Sequence, residues 1–379
     1  MRDVFAVSSF IEVKEFSQVV ENISAYRSQF SGAIGIMNTS VPDFNDILLK
    51  LASMLGIHYC DMASDMYNKK TLATLRFGQE SYDAVFKKKN IFGLINAGIS
   101  PGVTNFLIGE KMLDCDDKCR IKIGSVNLYL LENIRSSEIV FSWSPQVAFD
   151  ELEQKPRFFE NKKLHTVEPF SHSMEYEFPH FKEPVEQYPL YQEEILSLHQ
   201  TFPQIASIKV YTGGSEVELV KSLYQLNLLS KNDPVCKEAG ISVEAIVRNA
   251  VPKMKTPDEM EQLVRKGVIK TAQFAAMAEI TKDDVVEVTG LSFHRYKDLL
   301  NSPYRGATYI SYPTGIGAAV MFYYTHKAWK QNRKNVNGII RGEQLPMKIG
   351  PHLSETMKLE LTKFGIDFVS HVHSLKFVE

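Results

Sequence analysis

The chain has 379 residues, 44% hydrophobic and 23% charged, an ordinary balance for a globular protein of two or three folding units. Its 43 basic and 45 acidic side chains leave a net charge of −2, which excludes a general electrostatic footprint for nucleic acid or an anionic membrane. Four cysteines are too few for a disulfide framework. No basic start followed by an apolar run marks a signal peptide. The most apolar window, 313–324, is shorter than the roughly 20 residues that cross a bilayer. A soluble cytoplasmic protein, with neither nucleic acid nor membrane as partner, is the expectation.

In chain order, Val4–Val7 predicts a strand, and Val13, Phe16, Val19, Val20 and Ile23 recur at helical spacing. Ala33 to Asn38 predicts a buried strand. A helix follows Val41-Pro42-Asp43, with Phe44, Ile47, Leu48 and Leu51 on one face. Next come a strand over 57–61, a helix around 80–88 and a strand over 91–95. Lys87-Lys88-Lys89 reads as the solvated end of that helix. This alternation implies right-handed βαβ units and a doubly wound parallel sheet, an α/β fold. Ligands bind such sheets beyond the carboxyl ends of the strands. Three segments therefore stand out: Asn38-Thr39-Ser40, Asp61 to Ser64, and Asn96 to Gly102.

A dinucleotide-binding sheet normally opens on a strand, a G-x-G-x-x-G turn and a helix, and the first residues carry no such pattern. Residues 1–113 therefore read as an incomplete Rossmann-like domain. Either its opening strands precede Met1, or they come from elsewhere, or the domain has been rebuilt. Ser100-Pro101 predicts an N-cap followed by proline at the first helical position. Its bland reading is a capped helix. Its functional reading is that free amides there, between Gly98 and Gly102, receive a carboxylate or phosphate.

From about Asp114 the pattern changes to longer strands over 121–131 and 137–143, with turn formers between Glu168 and Glu183. This suits an α+β substrate and dimerisation domain over 114–305. Gly213-Gly214-Ser215 opens a helix, and Ser215 with Glu218 makes a capping-box pattern; an anion-binding turn is the alternative. Gly315, Gly317, Ala318 and Ala319 allow close backbone packing. Cys115 and Cys119 lack a partner pair for a zinc site. His371 and His373 share a strand face with Val369 and Leu375 and read as partly buried edge residues, so no metal set is assigned. No G-x-S-x-G or H-E-x-x-H pattern supports a hydrolase.

Several segments stand in a recognisable order: Gly35-Ile-Met-Asn-Thr-Ser-Val-Pro, Gly56-Ile-His-Tyr-Cys-Asp61, Asn96-Ala-Gly-Ile-Ser-Pro-Gly-Val-Thr-Asn105, and Trp143-Ser144-Pro145. Tyr211-Thr-Gly-Gly-Ser-Glu216 follows, with Leu223 and Leu226-Asn-Leu-Leu229 after it. Ile310-Ser-Tyr-Pro-Thr-Gly-Ile-Gly-Ala-Ala319 and Gly338 to Leu345 complete the series. Together they resemble the saccharopine dehydrogenase family, which includes saccharopine reductases and carboxynorspermidine dehydrogenases.

The resemblance implies an oxidoreductase that uses NADP or NAD to reduce an imine, or to oxidise the corresponding secondary-amine amino acid or polyamine-like substrate. It implies a homodimer, and a C-terminal segment, 306–379, that packs back on the first domain. Asn38, Thr39, Ser40, Ala63, Ser64, Gly98 and Pro101 would line the cofactor. Asp61 and Ser100 would be catalytic, and Ser64, Ser100, Tyr211 and Gly213 would meet the substrate. The chain departs from the family pattern in lacking the glycine fingerprint. It also carries Ser100 where the family has an aspartate before Pro-Gly, and Lys209 to Thr212 contains one base where some reductases have several arginines. The competing expectation is a cofactor-free relative serving as an interaction or regulatory subunit.

Overall fold

The computed structural model describes residues 32–113, 123–141, 144–229, 243–304 and 306–374. The expected elements over 4–7 and 13–23 lie outside them, as do Cys115, Cys119 and Trp143.

Strand β1 (Gly35–Asn38) leads into helix α1 (Asn45–Leu55), whose Leu48, Leu51 and Ala52 are buried against the sheet. The helix ends at Gly56, where a left-handed φ of 71° costs glycine little. Strands β2 (His58–Asp61) and β3 (Phe92–Ile95) are buried on both faces, as the strands of a covered parallel sheet must be. Between them runs the short helix Asp83–Lys88, where Lys87 pairs with Asp83 and the lysines at its end are exposed. Helix α2 (Val103–Leu113) follows.

Then come β4 (Ile123–Ser136), the helix Pro145–Glu153, β5 (Arg157–Glu160), β6 (Lys163–Thr166), β7 (Met174–Tyr176) and β8 (Val185–Leu190). Helix α3 (Glu193–Thr201), β9 (Ser207–Gly213), helix α4 (Ser215–Gln225), β10 (Ile269–Lys282) and β11 (Val285–Phe293) continue the chain. It closes with α5 (Ser311–Gln331), β12 (Gly338–Arg341), α6 (Pro351–Lys363) and β13 (Asp367–Ser374).

The small sheet runs β1-β2-β3-β12, all parallel. The large sheet runs β13-β11-β10-β4-β9-β5-β6, with β8 also on β9 and β7 on β8. Its pairings are antiparallel except β4 with β9. Along β4 the side chains alternate. Leu128, Leu130 and Ile134 enter the core shared with the small sheet, whereas Tyr129 and Leu131 join a second cluster with Tyr211, Phe178 and Met277. The fold is therefore α/β: a parallel sheet beside a larger mixed one.

Three expectations need correcting. Of the strand expected over 137–143, the described residues 137–141 form none. Strand β4 instead extends to Ser136 because β10 is equally long, and Pro145 opens a helix, a position where its missing amide hydrogen costs nothing. The segment 306–379 divides: β12 completes the small sheet, while β13 pairs with β11 at the edge of the large one. Phe368 and Val369 serve opposite faces there, which anchors β13 in both cores. His371 is exposed rather than partly buried. Among the described residues, no helix is long and apolar enough to cross a membrane.

Close backbone packing holds α2 to the turn after β12 and α5 to the turn after β3. A Cβ at Gly109 would stand 2.2 Å from the Glu343 carbonyl oxygen, and one at Gly317 would stand 2.7 Å from that of Gly98. A Cβ at Gly315 would meet nothing within 4 Å. Gly109→Ala is expected to destabilise by about 1–3 kcal/mol through overpacking. Gly315→Ala is expected to be neutral or to stabilise by up to about 1 kcal/mol, as alanine does in a helix. Urea midpoints of the two variants check the contrast.

Candidate functional site

The carboxyl ends of the parallel strands carry a buried polar network. Asp61 ends β2 at 1% exposure, and Asn96 follows β3 at 3%. The Asn96 backbone amide donates to Asp61 Oδ1 (2.8 Å), and Gln79 Nε2 donates to Asp61 Oδ2 (3.2 Å) and to Ser64 Oγ (2.7 Å). Ser64 Oγ in turn donates to Asn96 Oδ1 at 2.7 Å. Asp61, Ser64, Gln79 and Asn96 therefore close a ring of hydrogen bonds. Asn96 Nδ2 has no partner in it.

Helix α3 lies across these strand ends. Glu193 Oε1 accepts from the Ser64 amide (2.8 Å), and Glu194 Oε1 accepts from Ser100 Oγ (2.6 Å). Both glutamates sit in the first helical turn, where the helix dipole favours negative charge. Further along, Ser197 and Thr201 donate to Glu343 Oε1 at 2.6 and 2.7 Å, next to the end of β12. Glu194 is fully buried, and its Oε2 has no hydrogen-bond partner. Tyr191, which precedes the helix, leaves its hydroxyl unpaired as well.

The Ser100–Pro101 turn differs from its expected form. The Ser100–Pro101 peptide is cis, and α2 begins only at Val103, so Pro101 is not the first helical residue. The amides of Val103 and Thr104 bond the carbonyls of Gly98 and Ile99, and that of Gly102 bonds Asn105 Oδ1. None of these is free for an anion. Ser100 does not cap the helix; its hydroxyl serves Glu194 and accepts from Thr104 Oγ1 at 3.0 Å. Gly102, at φ 133°, would place a Cβ 2.2 Å from the Gly98 carbonyl oxygen, which fixes glycine there.

The remaining expected residues divide into two groups. Asn38 is buried, and its side chain is consumed locally, donating to Asn45 Oδ1 and accepting from the Ser40 amide. Thr39 and Ser40 are exposed at the end of β1. The Ala63 carbonyl accepts from Asn45 Nδ2. These residues lie with Asp61, Ser64, Gly98, Ser100 and Pro101 at the strand ends. Tyr211 does not: it stacks on Tyr129 in the second cluster, across the large sheet from the core that the strand ends share. Gly213 packs against β8, where a Cβ would meet the Gln187 side-chain amide at 2.2 Å. Ser215 makes no capping box, because its hydroxyl accepts from the Ile134 amide. A cleft of about 460 Å³, large enough for a small molecule, reaches the network at Asn45 and Gln79.

Burial governs the charges here. It pushes the Asp61 carboxyl up to about 7. Burial and then the neighbouring Glu193 push Glu194 to about 7 and Glu151 to about 8. A carboxyl whose pKa is higher in the folded than in the unfolded chain holds extra protons between the two values. Its contribution to stability is present below the unfolded value and lost as pH rises through the folded one. The melting temperature is therefore expected to fall between about pH 5 and pH 8. Glu151→Gln should flatten that slope, and thermal melts across the range check it.

A family model for the saccharopine dehydrogenase C-terminal domain matches residues 98–360. The chain belongs to the saccharopine dehydrogenase family. Among solved structures, it is similar in fold to the apo histidine-tagged saccharopine dehydrogenase (L-Glu forming) of Saccharomyces cerevisiae. The TM-score is 0.61 and the identity 13%, over 94% of this chain and 88% of that one. A dehydrogenase from Clostridium difficile aligns at 8% identity over 93% of this chain and 82% of that one, with a TM-score of 0.28. An oxidoreductase from Pseudomonas syringae aligns at 8% identity over 95% and 84%, with a TM-score of 0.31. No curated protein sequence matches.

Ser100 stands where the saccharopine dehydrogenase family pattern has its aspartate, and the structure brings a carboxylate to that place from Glu194, 94 residues along the chain. The motifs of the family left Gln79, Glu151, Glu193 and Glu194 unmarked. The doublet Glu193-Glu194 opens an amphipathic helix, which reads as ordinary dipole complementation. The useful signal was the pair of acids followed by Ile195 and Leu198, which forces that helix start into the core. Gln79 carries no sequence signal at all.

Proposed function

We propose that this saccharopine dehydrogenase family member is an NAD(P)-dependent oxidoreductase acting at the C–N bond of a secondary-amine amino acid or of its imine. The observation that carries the reading is the Ser100–Glu194 pair. Glu194 has one oxygen held by Ser100 and the other buried without a partner, and burial, then Glu193, push its carboxyl up to about 7. A group poised there both gives and takes a proton near neutral pH. In reduction, protonated Glu194 gives the proton of Oε2 to the imine nitrogen. In oxidation the neutral amine gives up its hydride, and ionised Glu194 takes the proton back from the iminium nitrogen that results, while Ser100 holds the carboxyl in one orientation.

Buried polar atoms without partners call for a ligand that supplies them. Glu194 Oε2 asks for an N–H donor, and Asn96 Nδ2 and the Tyr191 hydroxyl offer hydrogen bonds to a carboxylate. An amino acid carries both groups. Glu151 and Glu193, ionised by a cationic partner, would also accept a further ammonium, as in a polyamine-derived substrate.

The described residues fit part of a nicotinamide cofactor. Thr39 and Ser40 are exposed at the end of β1, Ala63 is half-buried after β2, and the Gly98–Pro101 turn follows β3. They would hold the nicotinamide and its ribose, whereas no glycine-rich turn for the pyrophosphate occurs among the described residues. When bound, the cofactor supplies or accepts the hydride. A second reading, a cofactor-free interaction or regulatory subunit, is favoured by Asp61, whose two oxygens are already occupied by Asn96 and Gln79. By the same token, Asp61 positions the strand ends rather than moving a proton.

Calorimetric titration of the purified chain with NADPH and with NADH separates the readings. Saturable one-site binding in the micromolar range, about −8 kcal/mol, together with NADPH oxidation on adding an oxo acid and an amine, is the expected result. No binding by folded protein would discard the oxidoreductase reading and leave the subunit. A homodimer is part of the proposal, and light scattering reads its mass.

A further inference from the structure

Three side chains with metal-binding atoms meet at one edge of the large sheet, each from a separate segment. His180 comes from the loop between β7 and β8, His294 lies just past β11, and Asp367 opens β13. One ligand atom of each lies within 4.8 Å of the other two. The two imidazole rings stack with centroids 4.0 Å apart and 26° between their planes. His294 Nδ1 is buried and stands 3.4 Å from Asp367 Oδ2 without the alignment of a hydrogen bond. Arg295 Nη2 lies 3.7 Å from the other Asp367 oxygen.

We propose that His180, His294 and Asp367 bind one divalent transition-metal ion of the zinc type. Two nitrogens and a carboxylate oxygen form the donor set that such ions take, with a fourth position left for water. Around a tetrahedral ion with bonds of about 2.0–2.1 Å, ligand atoms stand about 3.3 Å apart. His180 is exposed and its side chain can rotate the remaining distance inward. A buried imidazole nitrogen without a partner is a cost that the ion would remove.

The consequence is mechanical. Phe178, two residues before His180, is buried in the second cluster, and Phe181 packs on the same cluster. An ion held by His180 would therefore pin the loop over that cluster to the ends of β11 and β13. This face of the large sheet is the one to which Tyr211 turns, away from Glu194, so the site stands apart from the proposed catalytic one.

The test is calorimetric titration of the full chain, stripped with EDTA and dialysed, with zinc chloride, and a visible spectrum with cobalt(II). The expected result is one saturable equivalent and a higher melting temperature with zinc. His180→Ala, in an exposed loop, and Asp367→Asn, which keeps the side chain's shape, should each weaken binding at least tenfold. His165→Ala on β6 should leave it unchanged. Absence of saturable binding, binding by His180→Ala or Asp367→Asn as tight as that of the unsubstituted chain, or thiolate charge-transfer bands in the cobalt spectrum would each overturn the proposal.

Discussion

Glu194→Gln is expected to lower NAD(P)H-dependent imine reduction by about 10²–10⁴-fold, the range supplied by one positioned general acid. Glutamine keeps the size of the side chain and an oxygen for Ser100, so the fold should persist. The loss should fall on kcat, and the inflection near pH 7 in the rate profile should vanish with the carboxyl. Ser100→Ala should cost less, because it removes an orienting bond and leaves the proton donor. Ser100→Asp restores the acid of the family pattern but sets a second carboxylate against Glu194, and two acids so close cannot both ionise. It is expected to slow the reaction. An active Glu194→Gln enzyme would remove Glu194 from the chemistry.

Glu343→Ala is expected to be the most damaging single change to stability. Glu343 is fully buried, accepts from Ser197 and Thr201, and also from Asn105 Nδ2 at 3.1 Å. Arg341 Nε stands 3.3 Å away, so the carboxylate is paired as well as hydrogen-bonded. Removing it leaves three donors without their acceptor and takes one of two carboxylates from the Arg341 guanidinium, which keeps Glu80 and Gln200; the cost is about 3–5 kcal/mol. Glu343→Gln, which keeps an acceptor, should cost less. Urea unfolding of both variants measures the difference; equal costs would mean that the charge contributes nothing.

The parallel sheet was legible because its strands are short, apolar on both faces and separated by helices, and no other arrangement covers both faces of such strands. The loops after β2 and β3 followed from that topology alone. Helix α3 was not legible as part of the site. Its contacts to Ser64, Ser100 and Glu343 are made between residues far apart in sequence, and none of those residues carries a pattern pointing to another. Tyr211 went astray for a different reason. On a strand, one step decides which face a side chain takes, and the pairing of Tyr129 with Tyr211 sends both to the second cluster. Ser100-Pro101 misled because a cap signal and a tight cis turn use the same two residues.

The small sheet takes its first three strands from the start of the described chain and its last, β12, from near the other end, where Ile340 pairs with Leu94. Those partners are made far apart in time on a ribosome. A half-built sheet must wait with the edge of β3 open while the intervening large sheet is synthesised, and long-range pairing of this kind is slow and exposed to misassembly. The nascent chain should therefore depend on chaperones more than its size suggests, and fragments ending before β12 should aggregate rather than fold.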